Sequence, residues 1–185
     1  MTWMNSLLMT PLAALALLVL SAGCSDVEDL DNFDVTINQQ TAIPGASALE
    51  LLLGNFPVLD SFTAFDLAQE ASFKNSGRDA NDVDKVTLAA LTFKTVDPPG
   101  QDLAFFGEVI FFIEAEGLPR KEIARQEDFP AGATTVAFDT SPDDLKDYVL
   151  VNRATITVEI NDTSRPPQET IIEVKAVFNV DVNVL

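Results

Sequence analysis

The sequence predicts an all-β protein, an antiparallel β-sandwich with one or two short helices. Three observations point there. From Phe33 onward the dominant hydrophobic period is two, the mark of strands with one buried face. Clusters of Asn, Asp, Ser, Pro and Gly cut the chain into short runs, as a sandwich requires. Apolar residues make up 47% of the chain and 13 residues are Phe, which is ample for a core and excludes a disordered acidic chain.

The elements follow in chain order. Short strands are expected at 33–38, 62–67 and 70–74. Between the first two, residues 46–53 carry Leu49, Leu52 and Leu53 at helical spacing, and Gly54 supplies a stop. Residues 84–96 form a strand whose pattern slips: Val86 and Leu88 share one parity, Leu91 and Phe93 the other. One extra residue near Ala89-Ala90 restores a single buried face, which is what a β-bulge does. Asp97-Pro98-Pro99-Gly100-Gln101-Asp102 then turns the chain.

Residues 103–116 make the most apolar strand. Val109, Phe111, Ile113 and Ala115 face one way; Phe106, Ile110 and Phe112 face the other, mixed with Glu108, Glu114 and Glu116. An antiparallel strand usually shows water one polar face. The second apolar face is therefore either covered, with 46–53 the candidate cover, or it is a contact surface. Strands are also expected at 121–126 and 134–139. Ser141-Pro142-Asp143-Asp144 reads as a helix start with Ser at the cap and Pro at the first position, leading into one or two turns over 144–149 with Tyr148 packed beneath.

Two long alternating runs close the chain. Ala154, Ile156, Val158 and Ile160 form one; Ile172, Val174, Ala176, Phe178, Val180 and Val182 belong to the other. The turn-forming spacer 161–168 suggests that they pair as a hairpin. The layers expected are those of an immunoglobulin-like sandwich without paired cysteines. The stretch 83–93, with its Val-Thr-Leu and Leu-Thr-Phe steps, is similar to LEA-type and immunoglobulin-like sandwich domains of bacterial surface lipoproteins. That resemblance transfers no functional residue.

The N-terminus points to a compartment. Residues 1–23 hold no charged side chain, and 12–20 is almost wholly Leu, Ala and Val. A short apolar run ending in small residues reads as a secretory segment with its cleavage site. The only Cys of the chain stands at its end, in Leu20-Ser21-Ala22-Gly23-Cys24. This resembles the lipobox of bacterial lipoproteins. The resemblance implies cleavage before Cys24 and its modification with diacylglycerol and an acyl chain such as palmitate. Two or three chains anchor firmly where one does not. The n-region has no Lys or Arg, and Ser21 stands where Leu is commoner in the family. An ordinary signal peptide or an uncleaved anchor are the alternatives. Ser25 after the Cys resembles an outer-membrane sorting signal. The division expected is a signal peptide at 1–23, a lipidated acidic tether at 24–32 and one sandwich domain at 33–185. The tether reading rests on Asp26, Glu28, Asp29 and Asp31, whose like charges extend the chain.

Composition excludes several chemistries. There is no His, so no Ser-His-Asp or Cys-His mechanism can be built within the chain, and the commonest metal ligand is missing. One Cys excludes a disulfide framework and a Cys-based zinc site. A net charge of −18 opposes binding to a nucleic-acid backbone or, through the folded body, to anionic lipid. No Ser-x-x-Lys and no Gly-rich phosphate loop occurs. Glu114 and Glu116 lie two apart on one strand, but the aromatic groups that line a glycosidase cleft are wanting.

The richest polar cluster is 75–84. Asp79, Asn81, Asp82 and Asp84 offer the oxygen ligands that calcium prefers, without EF-hand spacing: Val83 interrupts the series and no Glu closes the loop. A solvated hairpin loop is the plain alternative. Arg120, Lys121 and Arg125, set among Glu122, Glu127 and Asp128, read as an exposed strand with cross-strand ion pairs. The function expected is non-enzymatic: an envelope lipoprotein, at the outer membrane, presenting a sandwich for binding or support, with another envelope protein as the partner considered. The candidate contact surface is Phe106, Ile110 and Phe112. A calcium-dependent adhesive module is the alternative, and a hydrolase using acids alone stands behind it.

Overall fold

A computed structural model describes residues 32–45, 66–150, 154–161 and 164–183. They form two four-stranded antiparallel sheets face to face. The strands are β1 (Asn32–Ile43), β2 (Val83–Asp97), β3 (Glu108–Glu114), β4 (Lys121–Gln126), β5 (Thr135–Ala137), β6 (Asp139–Thr140), β7 (Thr155–Asn161) and β8 (Thr170–Val182). The first sheet has the order β1-β8-β2-β5 and the second β6-β4-β3-β7. Two short helices, α1 (Ala71–Ser76) and α2 (Lys146–Val149), and two 3-10 turns, Leu67–Gln69 and Ala80–Asp82, complete the described elements. The expected sandwich with one or two short helices is the fold. The chain path has its own character: the last strand lies between the first and the second.

The alternation seen in the sequence sets the core. Val35 and Ile37 of β1, Leu88 and Phe93 of β2, and Val174 and Phe178 of β8 turn inward from the first sheet, and Val109, Phe111 and Ile113 of β3 meet them. At one end this core is aromatic. The Phe93 ring lies 4.7 Å from Phe138, 5.8 Å from Phe111 and 5.6 Å from Phe106, centroid to centroid. Such tilted and edge-on pairs each add about 0.5–1.5 kcal/mol beyond the apolar area they bury.

The bulge expected near Ala89-Ala90 is present. In the β2–β8 register Leu88 faces Phe178 and Ala90 faces Val177, so Ala89 is the extra residue and Leu91 and Phe93 rejoin the buried face. The same register also shifts at Asp84 and Val96, and a bulge sits in β4 as well: Phe111 pairs with Ala124 and Phe112 with Glu122, leaving Ile123 over. Both Ile123 and Ala124 are buried as a result.

Four local expectations are corrected. Residues 70–74 lie in and beside helix α1 rather than a strand; Gly77 ends that helix at φ 71°, a conformation that costs other residues more, and Phe73 points inward against Phe33. Of 62–67, only Asp66 and Leu67 are described, and Leu67 opens a 3-10 turn. Strand β3 is shorter than expected, because 103–107 forms a turn in which the Phe106 amide bonds the Leu103 carbonyl. The terminal hairpin does not form. Strand β7 pairs with β3 in the second sheet, whereas β8 fills the centre of the first between β1 and β2. A turn-rich spacer joins two sheets as readily as two neighbours in one sheet, and periodicity does not distinguish them.

The segment 134–146 seals one side of the sandwich. Strand β5 pairs with β2, Phe138 plunges between the sheets, and β6 pairs at once with β4. Further along the β2 edge, the Leu145 amide bonds the Val86 carbonyl at 2.7 Å and Asp144 accepts from the Val86 amide at 3.1 Å. Those contacts hold Asp144 and Leu145 against the strand, so α2 begins at Lys146, later than Ser141 suggested. Ser141 Oγ instead accepts from the Asp143 amide, and Asp144 takes over the capping of Lys146. Tyr148 packs beneath, as expected, with its hydroxyl donating to the Pro119 carbonyl at 2.7 Å.

Candidate functional site

Cys24, the acidic stretch before β1 and the helix expected at 46–53 lie outside the described residues. The other sequence candidates fall into two places, the outer face of the second sheet and the loop entering β2.

Strand pairing assembles the outer face. Ile110 stands between Arg125 of β4 and Glu159 of β7, and Phe112 stands between Glu122 and Thr157. Of the three residues expected to form a contact surface, Phe106 is not part of it. It is buried in the core against Phe93, Phe105 and Phe129, because the 103–107 turn rotates it out of the parity of β3. Ile110 does lie on the outer side yet is only 6% exposed. Phe112 is half-buried, with the Arg120 guanidinium carbon 3.6 Å from its ring centroid.

Two arginines organise this face. Arg120 pairs with Glu114 of β3 at 2.9 Å and with Glu159 of β7 at 2.7 Å, so it ties the two strands across the ring of Phe112. Arg125 forms a two-pronged contact with Glu122, with Nε and Nη2 at 2.9 and 2.8 Å from its two oxygens, and it also meets Glu108 and Glu127. The hydrogen bonds from Arg125 hold the Glu122 carboxyl below the usual carboxylate range, and those same bonds raise the Arg125 guanidinium further above its usual value. At neutral pH both groups are charged. The arrangement is a fixed ionic lattice rather than an acid–base pair.

The cross-strand ion pairs expected of Arg120, Lys121 and Arg125 are present: Glu108 and Glu114 come from β3, Glu159 from β7, and Lys121 meets Asp143. Only pairing could show this. Beside the lattice, at the β4–β6 margin, lies an open groove of about 370 Å³, with Glu122, Arg125, Asp139, Thr140 and Ser141 among its walls. No local pattern marks it, because β6 is two residues long and carries no periodicity.

At the entrance to β2, Asp79 and Asp82 close a capping box over the 3-10 turn Ala80–Asp82. The Asp79 carboxylate accepts from the Asn81 amide, and Asp82 accepts from the Asp79 amide at 2.8 Å. Asn81 Nδ2 also donates to Asp79. Asp84 follows on β2 with its side chain exposed. The four residues expected as calcium ligands therefore sit close in sequence, but two of their carboxylates are bound to the local backbone. Among the described residues, no group of three or more His, Cys, Asp and Glu side chains is arranged to hold a metal ion. Nor is any described helix long and apolar enough to cross a membrane.

Compared with protein-family models, with curated proteins and with solved structures, the chain matches none.

Proposed function

We propose that this chain is a non-catalytic envelope lipoprotein, acylated at Cys24, that presents its β-sandwich at the outer membrane for binding or structural support. The observation that carries the reading is the chain's single Cys, placed where an uncharged apolar segment ends in Ser-Ala-Gly. Residues 25–31 lie between Cys24 and the described strand β1, which begins at Asn32. That stretch is rich in Asp and Glu, whose mutual repulsion, and repulsion from anionic lipid, holds the domain off the bilayer. The absence of His and the engagement of Arg120 and Arg125 by several carboxylates favour a binding role over catalysis.

Intact mass of detergent-extracted protein, made in a lipoprotein-competent bacterium, tests the proposal. The expected species begins at residue 24 and carries diacylglycerol with or without an N-acyl chain; Cys24→Ser abolishes labelled-palmitate incorporation. An unmodified mature chain or an intact Met1 overturns the anchor.

A further inference from the structure

Strand pairing fixes which loops share an end of the sandwich. Asn32, where β1 begins, pairs with Asp181 of β8, and Val83, where β2 begins, pairs with Val182. The Lys146 ammonium donates to the Val83 carbonyl and the Tyr148 hydroxyl to the Pro119 carbonyl, so α2 and the turn at 115–120 belong to this same end. Ile43, where β1 finishes, pairs with Thr170, and Asp97 pairs with Ile171. The segments 98–107, 127–134 and 164–169 therefore gather at the opposite end.

Those three segments are bound to one another. The Leu103 amide donates to the Ala133 carbonyl at 2.9 Å, the Gly132 amide to the Asp102 carboxylate at 2.9 Å, and the Ser164 amide to the Phe105 carbonyl at 2.8 Å. The backbone of Gln168 and Glu169 lies close against Gly45 at the end of β1. The far end is thus one fixed platform of loops.

Reach limits how an anchored chain can stand. At about 3.5 Å per residue, the path from Cys24 through 25–31 to Asn32 spans at most about 28 Å. Strand β1 holds its two ends about 36 Å apart, and the far loops extend further. With the far end on the bilayer, Asn32 would lie beyond the reach of Cys24. Charge opposes lying flat. Residues 1–23 hold no charged side chain, so the cleaved chain keeps the whole −18. Acid outnumbers base on both outer faces, where Asp84 and Asp97 add to Asp34, Glu173 and Asp181 on the first sheet, and Glu108, Glu114, Glu122 and Glu159 stand on the second. A sheet face laid on anionic lipid brings a broad acidic surface within the Debye length of about 8 Å, and an end brings a narrow one.

We infer that the anchored domain stands on end, with the Asn32 end toward the bilayer and the platform of 98–107, 127–134 and 164–169 turned outward as the surface that it presents. This rests on the acylation of Cys24 proposed above.

Energy transfer from single dyes to acceptor-labelled lipid headgroups tests it. The acylated full chain is reconstituted in vesicles of phosphatidylethanolamine and phosphatidylglycerol. Acylation consumes the chain's own thiol, so the dye goes to the cysteine introduced by Glu116→Cys at the near end, Asn38→Cys or Asp139→Cys on the two flanks, or Ala131→Cys on the platform. All four sites are exposed. Transfer at position 116 should exceed that at 131 by about twofold or more, with both flanks between them. Transfer at 131 equal to or above that at 116 overturns the orientation. A flank site that matches 116 overturns it too, since the domain then lies flat. Asn183→Cys and Asp128→Cys, also exposed, repeat the comparison of the two ends should either end variant melt early. Protein that fails to float with the vesicles overturns the anchor, and the orientation falls with it.

Discussion

The guanidinium carbon of Arg120 lies over Phe112, 3.6 Å from the ring centroid, while its nitrogens reach Glu114 on one strand and Glu159 on another. A charged residue thus covers the aromatic ring that would otherwise face water from β3. The side chains are more than a third exposed, so the ion pairs themselves contribute little and the stacking contributes the rest. Arg120→Ala is expected to lower stability by about 1 kcal/mol, with the loss shrinking at high salt. Arg120→Lys should recover only part, since a point charge cannot stack as a plane does. Urea denaturation at two ionic strengths checks both; an Arg120→Ala protein as stable as the parent would show that the contact contributes nothing.

The Glu122–Arg125 contact makes a pH-dependent contribution. Hydrogen bonds from Arg125 lower the folded-state pKa of Glu122. Its stabilisation is therefore fully present above the ordinary Glu value of about 4.3 and is lost as pH falls through the lower folded value. Glu122→Gln should flatten the stability profile below about pH 5 and leave the neutral-pH slope unchanged. The effect is small, because the pair is solvent-exposed. Thermal melts across acid pH, parent against variant, would reveal it.

Asp144 links the first sheet to α2 by accepting from the amides of both Val86 and Lys146. Asp144→Ala leaves a part-buried strand amide and a helix N-terminus without that acceptor, and should cost about 1–2 kcal/mol. Asp144→Asn keeps an acceptor oxygen and should cost clearly less. Equal losses in the two variants would mean that the carboxylate acts through charge and not as a cap.

Gly45 is required for a different reason. A Cβ there would stand 2.5 Å from the carbonyl carbon of Gln168 and 2.7 Å from the amide nitrogen of Glu169. Both are backbone atoms, so the end of β1 would have to move away from the strand that it pairs with. Gly45→Ala should destabilise by about 2–3 kcal/mol, the scale of overpacking, with a clear drop in melting temperature.

Thr95 carries the one buried side-chain oxygen without a hydrogen-bond partner among the described residues. Removing an unsatisfied hydroxyl recovers its desolvation cost, so Thr95→Val should stabilise by about 1 kcal/mol. A loss on that substitution would reveal a partner, such as a buried water, for the hydroxyl.

Much of the fold could be read from period and turn chemistry. The alternation in β1, β7 and β8 and the slipped parity of β2 are properties of neighbouring residues, so strands and even the Ala89 bulge are legible in a single chain. Residues 70–74 are ambiguous in sequence because a run this short fits helix and strand alike; in the fold they lie in and beside helix α1, with Phe73 against Phe33. The candidate site was legible only in part. Ile110 and Phe112 were found on the outer face, but Phe106 was assigned there by extending the strand parity into a turn.

By itself the sequence determined that this protein is all-β, acidic and without His or paired Cys, because composition and local periodicity act over a few residues. Tertiary structure alone decided which strands share a sheet. Strands β7 and β8 sit in opposite sheets, and the arginines of one loop and one strand find carboxylates from β3 and β7. Pairing joins residues far apart in the chain, and the free energy that selects one partner over another comes from burying a common core. That selection placed Asp139 beside Arg125 at the β4–β6 margin.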